Sequence, residues 1–199
     1  MLYSFLTNLV DTFTFLNVFK YLTVRTGLAV FTSMFVVFLI GTPFINFFST
    51  RQILDPIRED GPSDHVVKKI GTPTMGGVLI LLGLFSGILF WGDLSSYFVW
   101  FLIFIVGSYG LLGAYDDYRK IKYKNSSGVS FRFKMITQIL VAIIGIIFLS
   151  YFSDHSELEY LYFPFFKNLI INLGWFFIPF GVFIIVGSSN AVNLTDGLD

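Results

Sequence analysis

Cysteine is absent from this chain and charged residues are scarce. None of the 199 residues is a cysteine, which excludes a disulfide framework and thiol chemistry. Charged residues make up 13% of the sequence, against about 25% in an average soluble domain. Lysine and arginine balance aspartate and glutamate, 13 against 13, so charge gives no support for binding to nucleic acid.

The chain is rich in apolar residues instead. Hydrophobic residues make up 55%, aromatic residues 20%, and the mean hydropathy is +0.75, which predicts an integral membrane protein. Residues 1–25 mix apolar stretches with Asp11, Lys20 and Arg25, a pattern that fits an interfacial amphipathic helix. Five uncharged runs, each about long enough to cross a bilayer as a helix, then follow. They are residues 26–50, 70–92, 94–115, 135–153 and 168–195.

The predicted fold is therefore an all-α, polytopic membrane bundle with five transmembrane helices in residues 26–199. Gly83 and Gly87 form a small-xxx-small pair, which permits close contact between helices in lipid. Most lysines and arginines lie in the loops between runs one and two and between runs three and four. By the positive-inside rule both loops are cytoplasmic, and so is the C-terminal segment, with the N-terminus outside.

The pair Asp116-Asp117 stands where the third apolar run stops. At the C-terminal end of a helix the macrodipole disfavours anions, and neighbouring carboxylates repel each other. The pair is expected to attract lysine or arginine, a divalent metal, or both. Adjacent helical residues point about 100° apart, so one carboxylate can face a ligand and the other a neighbouring helix. The alternative is a solvated helix end with ordinary juxtamembrane charges.

Two further motifs are predicted to lie on the same face of the membrane. Lys69 and Thr74 stand at the start of the second run, where free backbone N–H groups suit a phosphate; a capped helix start is the alternative. Near the C-terminus, every third residue is an amide or an acid, so neighbours in the series lie side by side on a helix. These residues are Asn190, Asn193, Asp196 and Asp199, with hydrogen bonding between helices as the alternative.

Oxygen ligands without histidine or cysteine clusters indicate Mg²⁺, which uses one or two carboxylates together with substrate phosphates. Chemistry of that kind is phosphoryl transfer, in which positioning and charge neutralisation dominate. A site embedded at the membrane implies that one substrate is a lipid.

Four segments together resemble the phospho-N-acetylmuramoyl-pentapeptide transferase (MraY) family, within the polyprenyl-phosphate N-acetylhexosamine-1-phosphate transferase superfamily. They are Asp60-Gly61-Pro62, Gly71-Thr72-Pro73-Thr74-Met75-Gly76-Gly77, Asp116-Asp117-Tyr118-Arg119-Lys120 and the stretch from Asn190 to Asp199. The resemblance implies a fold of about ten helices, possible homodimers, and residence in the bacterial inner membrane with the active site facing the cytoplasm. It also implies a reaction of peptidoglycan synthesis: undecaprenyl phosphate and UDP-MurNAc-pentapeptide give lipid I and UMP, with Mg²⁺.

The resemblance further implies roles for individual residues. Asp116 and Asp117 match the catalytic acid pair, without a decision on which acts as base, and Asp117 and Asp196 are the expected metal-facing acids. Matches to the substrate cleft are Lys69, Thr74, Asn190, Asn193 and Asp196, with Lys120 and Lys134 as expected phosphate contacts. Asp64 departs from the usual serine before His65. Because the chain stops inside the last motif, it is expected to be an inactive N-terminal fragment.

Three other functions are weighed against this one. A related transferase would use UDP-GlcNAc in place of the muramoyl donor. A transporter would carry polar residues at mid-membrane, whereas the charges here cluster toward one face. A structural scaffold leaves Asp116, Asp117 and Asp196 without a purpose.

Overall fold

The computed structural model describes residues 1–50, 75–123, 128–153 and 158–196, except for the side chains of Lys167 and residues 194–196. Two antiparallel strands form a hairpin, β1 Tyr160–Phe163 and β2 Phe166–Asn172. Short 3-10 helices cover Thr14–Lys20 and Gly174–Phe176. The α-helices are α1 Leu2–Asn8, α2 Leu22–Thr50, α3 Gly76–Trp91, α4 Tyr97–Tyr123, α5 Phe131–Phe152 and α6 Phe177–Asp196.

The helices have the length and composition of membrane spans. Within the described residues, four helical stretches are long and apolar enough to cross a bilayer: α2, α4, α5 and Gly174–Asn193, which includes most of α6. The shorter α3 has 16 residues, which is about 24 Å of helix, and the start of the predicted second run lies outside the described residues. Large apolar side chains face outward, including Phe38 at 74% exposure and Leu111 at 73%. The chain is thus a helical integral membrane protein, as predicted.

Each long helix packs against the next one in sequence, from α2 to α6. The most enclosed part of the bundle is on α5, where Ala142, Ile146 and Leu149 are buried. Ile105 of α4 and Val186 of α6 are also buried. Helix α5 therefore lies between α4 and α6, and it connects the two helices that carry the acidic and amide motifs.

The predicted close contact at Gly83 and Gly87 is confirmed, between α3 and α2. A Cβ placed on Gly87 would lie 2.5 Å from Ser33 Oγ and 3.0 Å from the Ala29 carbonyl oxygen. A Cβ on Gly83 would lie 2.7 Å from Val37 Cγ2. The two helices thus meet along a surface with no room for a side chain on α3, the arrangement that small residues allow in lipid.

Replacing Gly87 with leucine is expected to separate α2 from α3 and lower the free energy of unfolding by about 1–3 kcal/mol, the usual cost of overpacking. Thermal unfolding in detergent measures the effect. Gly27→Leu on α2 is the matched control, because a Cβ at Gly27 meets nothing within 4 Å. Equal melting temperatures for the two variants would contradict the proposed contact.

The prediction of one helix over residues 168–195 is wrong at its beginning. Residues up to Asn172 form strand β2, and the α-helix starts at Phe177. Hydropathy alone does not separate a short apolar strand from a helix. The break is local: Gly174 has φ +50°, and its N–H donates to Asn172 Oδ1 at 2.8 Å. A turn of this kind ends the strand one residue before the next helical segment.

The N-terminal segment forms two short helices in place of a single one. Helix α1 packs on α3, and the N-terminal ammonium donates to the Leu89 carbonyl oxygen at 2.8 Å. Trp91 stacks on Phe19 with 5.9 Å between ring centroids and donates to Thr32 Oγ1 at 2.8 Å. These contacts hold the segment against the same end of α2 and α3. Its placement at the membrane interface stays a prediction.

Candidate functional site

The two acids lie inside helix α4, not at its end. The helix continues for six residues beyond Asp117, to Tyr123, so the expectation that the acids end the helix is wrong. The residues that follow favour helix: Arg119, Lys120 and Lys122 have good helical propensity, and Lys120 pairs with Asp116 at i,i+4 spacing. Lys120 and Lys122 then occupy the last turn, where the macrodipole favours them.

Asp116 is buried, with 6% of its surface exposed, and both of its oxygens are occupied. Oδ1 accepts a hydrogen bond from the Val129 N–H at 2.6 Å and lies 2.9 Å from Lys134 Nζ. Oδ2 lies 2.9 Å from Lys120 Nζ. The predicted positive partners are therefore present as two lysines, one on the same helix and one on α5. Three donors on one carboxylate stabilise its charged form.

Asp117 points elsewhere, as the angle between adjacent helical residues predicts. Its side chain is 31% exposed, and Oδ1 lies 3.2 Å from Lys120 Nζ. Asp117 Oδ2 takes part in none of the ion pairs that the structure shows among the described residues. Asp116 thus faces a neighbouring helix and Asp117 has an oxygen left for a ligand.

The loop before α5 completes the surroundings of Asp116, and sequence reasoning missed it. Gly128 has φ +58°, and a Cβ there would collide with Asp116 Oδ1. The turn directs the next N–H, that of Val129, at the carboxylate. Ser130 then caps α5 by accepting from the Phe133 N–H at 3.4 Å. A glycine two residues before a serine cap was the available signal.

Gln138 is the second residue that sequence reasoning missed. Its Oε1 accepts from Asn190 Nδ2 at 2.8 Å, and its backbone carbonyl accepts from the Tyr109 hydroxyl at 3.0 Å. Asn190 Nδ2 also donates to the Val186 carbonyl. Gln138 thereby connects α4, α5 and α6. The signal was an amide inside the apolar run 135–153, where a polar side chain needs a partner.

Helix α5 brings the two motifs to one end of the bundle. Lys134 and Gln138 are four residues apart and therefore lie on one helix face. Lys134 contacts Asp116 of α4, and Gln138 contacts Asn190 of α6. Since Lys134 and Gln138 both lie near the start of α5, the acidic pair and Asn190 of the amide motif lie at the same end of the bundle.

The other predicted site residues are placed only in part. Asn193 lies on α6 and is exposed, and Asp196 is the last residue of that helix, with its side chain outside the described set. Lys69, Thr74 and Asp199 fall outside the described residues.

Among the residues that the structure describes, no group of three or more His, Cys, Asp or Glu could hold a metal. Mg²⁺ needs only one or two carboxylates, with water and phosphate as further ligands; Asp117 fits this requirement better than the fully occupied Asp116.

Replacing Gln138 with leucine is expected to leave Asn190 with its bond to Val186 alone, and so to loosen its position at the site. The lost hydrogen bond costs about 0.5–1.5 kcal/mol of folding free energy. We expect the double variant Gln138→Leu/Asn190→Leu, which removes both partners of the bond, to be less destabilised than the sum of the two single variants. Thermal unfolding in detergent makes this comparison, and strict additivity would contradict the proposed role of the bond.

Comparison with known proteins identifies the family. The family model for glycosyl transferase family 4 matches residues 98–199, about half of the chain. The phospho-N-acetylmuramoyl-pentapeptide-transferase signature 1 matches residues 69–81. The chain belongs to glycosyl transferase family 4.

Curated relatives agree with the signature. The chain is 77% identical over 199 residues to a phospho-N-acetylmuramoyl-pentapeptide-transferase of Pelagibacter ubique. It is 45% identical to that of Thermodesulfovibrio yellowstonii over 199 residues, and 46% identical to that of Caulobacter vibrioides over 205. The alignments cover 100% of this chain and 55% of each relative, so the chain spans about half the length of these relatives. The resemblance indicated by the four sequence motifs is confirmed.

Proposed function

We propose that the protein transfers phospho-MurNAc-pentapeptide from UDP-MurNAc-pentapeptide to undecaprenyl phosphate, giving lipid I and UMP. This is the first membrane step of peptidoglycan synthesis. The observation that carries the proposal is the arrangement of Asp116, Asp117, Lys120 and Lys134 at one end of a membrane bundle. The names of the relatives support the choice of the transferred group, phospho-N-acetylmuramoyl-pentapeptide.

The chemistry needs an attacking phosphate, a diphosphate and a leaving group held in line. An oxygen of the lipid phosphate forms a bond to the sugar-linked phosphorus of the donor, and the bond to the UMP phosphate breaks. Lys134, whose side chain is 32% exposed, lies within reach of a phosphate entering beside Asp116. Lys120 already contacts both acids, so it can hold their carboxylates in place while phosphates bind.

We assign different tasks to the two acids. Asp116, with three donors around it, fixes the positions of Lys120, Lys134 and the Val129 loop. Asp117 has an oxygen outside these contacts and is the acid placed to hold Mg²⁺ beside the diphosphate. When bound, Mg²⁺ supplies charge neutralisation for the transferring phosphoryl group. Asp196, Asn190, Asn193, Lys69 and Thr74 complete the proposed cleft.

The cytoplasmic orientation is part of the same proposal. A nucleotide-linked donor is a charged molecule that binds from water, and the acidic pair and the amide motif meet at one end of the bundle. Lys120 and Lys134, which belong to the second of the basic segments predicted to be cytoplasmic, lie at that end. The polar groups therefore line an entrance at one face and not a path across the membrane, which argues against a transporter.

The direct test is release of UMP by the full-length protein in detergent with undecaprenyl phosphate. We expect UMP with UDP-MurNAc-pentapeptide, none with UDP-GlcNAc, and none after EDTA until Mg²⁺ is restored. UMP release with UDP-GlcNAc but not with UDP-MurNAc-pentapeptide would assign the protein to the related transferases that use UDP-GlcNAc. UMP release that is insensitive to EDTA would contradict the proposed requirement for Mg²⁺.

A further inference from the structure

The β1–β2 hairpin lies at the end of the bundle opposite to the acids. Helix α5 begins beside Asp116 and runs for 22 residues to Phe152, which is about 33 Å of helix. That length matches the hydrocarbon thickness of a bilayer, about 30 Å. Strand β1 starts eight residues after Phe152, and α6 follows β2 after a short 3-10 helix. Both ends of the hairpin are thus attached where helices leave the membrane.

The hairpin carries many large apolar side chains, and they are exposed. Phe165 at its tip is 90% exposed, Phe166 65%, and Trp175 directly after it 82%. In the described part of the chain its two strands pack mainly on each other. A lone two-stranded hairpin is marginal in water, so this surface is expected to be covered when the protein is in its membrane.

The two faces of the hairpin differ in composition. Residues directly opposite each other in an antiparallel pair share a face. Leu161 lies opposite Ile171, so in the regularly paired part of the hairpin this face is aliphatic; the register shifts between Tyr162 and Phe163, and the faces are therefore assigned only for the pairs before that shift. The other face carries Tyr160 opposite Asn172 and Tyr162 opposite Ile170. One face therefore suits hydrocarbon, and the other suits headgroups and water.

We propose that the hairpin lies in the lipid–water interface, with Leu161 and Ile171 toward the acyl chains. Tyr160, Tyr162 and Asn172 then face the headgroups. The position continues the lipid-facing surface of the bundle, because the apolar stretch of the last span begins at Gly174, two residues after β2. Exposed Trp175, together with Tyr160 and Tyr162, matches the Trp and Tyr residues that collect at membrane interfaces. The hairpin thereby anchors the start of α6 at a fixed depth.

Two neighbouring isoleucines give a matched test. Ile170→Cys and Ile171→Cys are made in the full-length protein, any cysteines beyond this cysteine-free chain first being replaced by serine. Each variant receives a nitroxide spin label and is reconstituted in phosphatidylglycerol–phosphatidylethanolamine nanodiscs. Collision rates are measured with oxygen, which concentrates in lipid, and with nickel ethylenediaminediacetate, which stays in water. We expect the oxygen-to-nickel ratio to be several-fold higher at position 171 than at position 170.

Every other pattern overturns the proposal. High nickel collision at both positions means that the hairpin stands in water. Low collision with both reagents at position 171 means that protein, either a second copy or another part of the same chain, covers that face. If Ile171→Cys does not elute as a folded protein, Leu161→Cys reports on the same face, since the two residues are register partners.

Discussion

Replacing Asp116 with alanine is expected to remove both stability and activity. The change leaves Lys134 and Lys120 without their shared carboxylate and the buried Val129 N–H without an acceptor. Removing one partner of a buried pair costs about 3–5 kcal/mol. Since the Lys134 side chain is 32% exposed, solvent screening reduces this to about 2–3 kcal/mol. Denaturant unfolding in detergent measures the loss, and UMP release measures activity.

A double-mutant cycle separates the lysine contact from general damage. Lys134→Met removes the partner on α5, so the Asp116→Ala/Lys134→Met protein no longer contains that unpaired ammonium. We expect it to be less destabilised than the sum of the two single variants, by about 0.5–3 kcal/mol, the range for residues in contact. Strict additivity would mean that the 2.9 Å contact contributes nothing to folding.

The sequence predicts the membrane class and the motifs well because both depend on local composition. Uncharged runs identify the spans, and Gly83 with Gly87 predicts a helix contact that the structure shows. Element ends are predicted less well. The predicted helical run 168–195 begins with residues of strand β2. Leu169, Ile170 and Ile171 are as hydrophobic as residues of a transmembrane helix, and isoleucine also favours strands. Hydropathy does not distinguish a short apolar strand from part of a transmembrane helix.

The sequence proposes candidate residues for the site but not the contacts that connect them. Asp116, Lys120, Lys134 and Asn190 are all recognised from the motifs. That Gln138 connects Asn190 to α4 and α5 depends on the rotation of α5 about its axis, which packing decides. The contact between Val129 and Asp116 depends on one positive φ at Gly128. Such features arise from tertiary structure, so a pattern of residue types does not contain them.

Replacing Asp117 with asparagine is expected to give the opposite result from Asp116→Ala: a stable protein without activity. Asp117 is partly exposed and pairs with Lys120 at 3.2 Å, and exposed pairs contribute about 0.2–1 kcal/mol. Its proposed task is to hold the cation beside the diphosphate, and losing one preorganised electrostatic contact costs about 100- to 1,000-fold in rate. UMP release and thermal unfolding are measured on the same preparation.

The pair of variants decides which acid serves which task. If Asp117 holds the cation, the Asp117→Asn protein keeps its melting temperature, and raising Mg²⁺ recovers part of the lost activity by mass action. A loss of stability as large as that of Asp116→Ala would show that both acids act in packing. An unchanged rate in Asp117→Asn would assign the cation to other carboxylates, with Asp196 at the end of α6 as the next to be replaced. Among the described residues, both oxygens of Asp116 lie in ion pairs and only Oδ1 of Asp117 does, so we expect the first of these results.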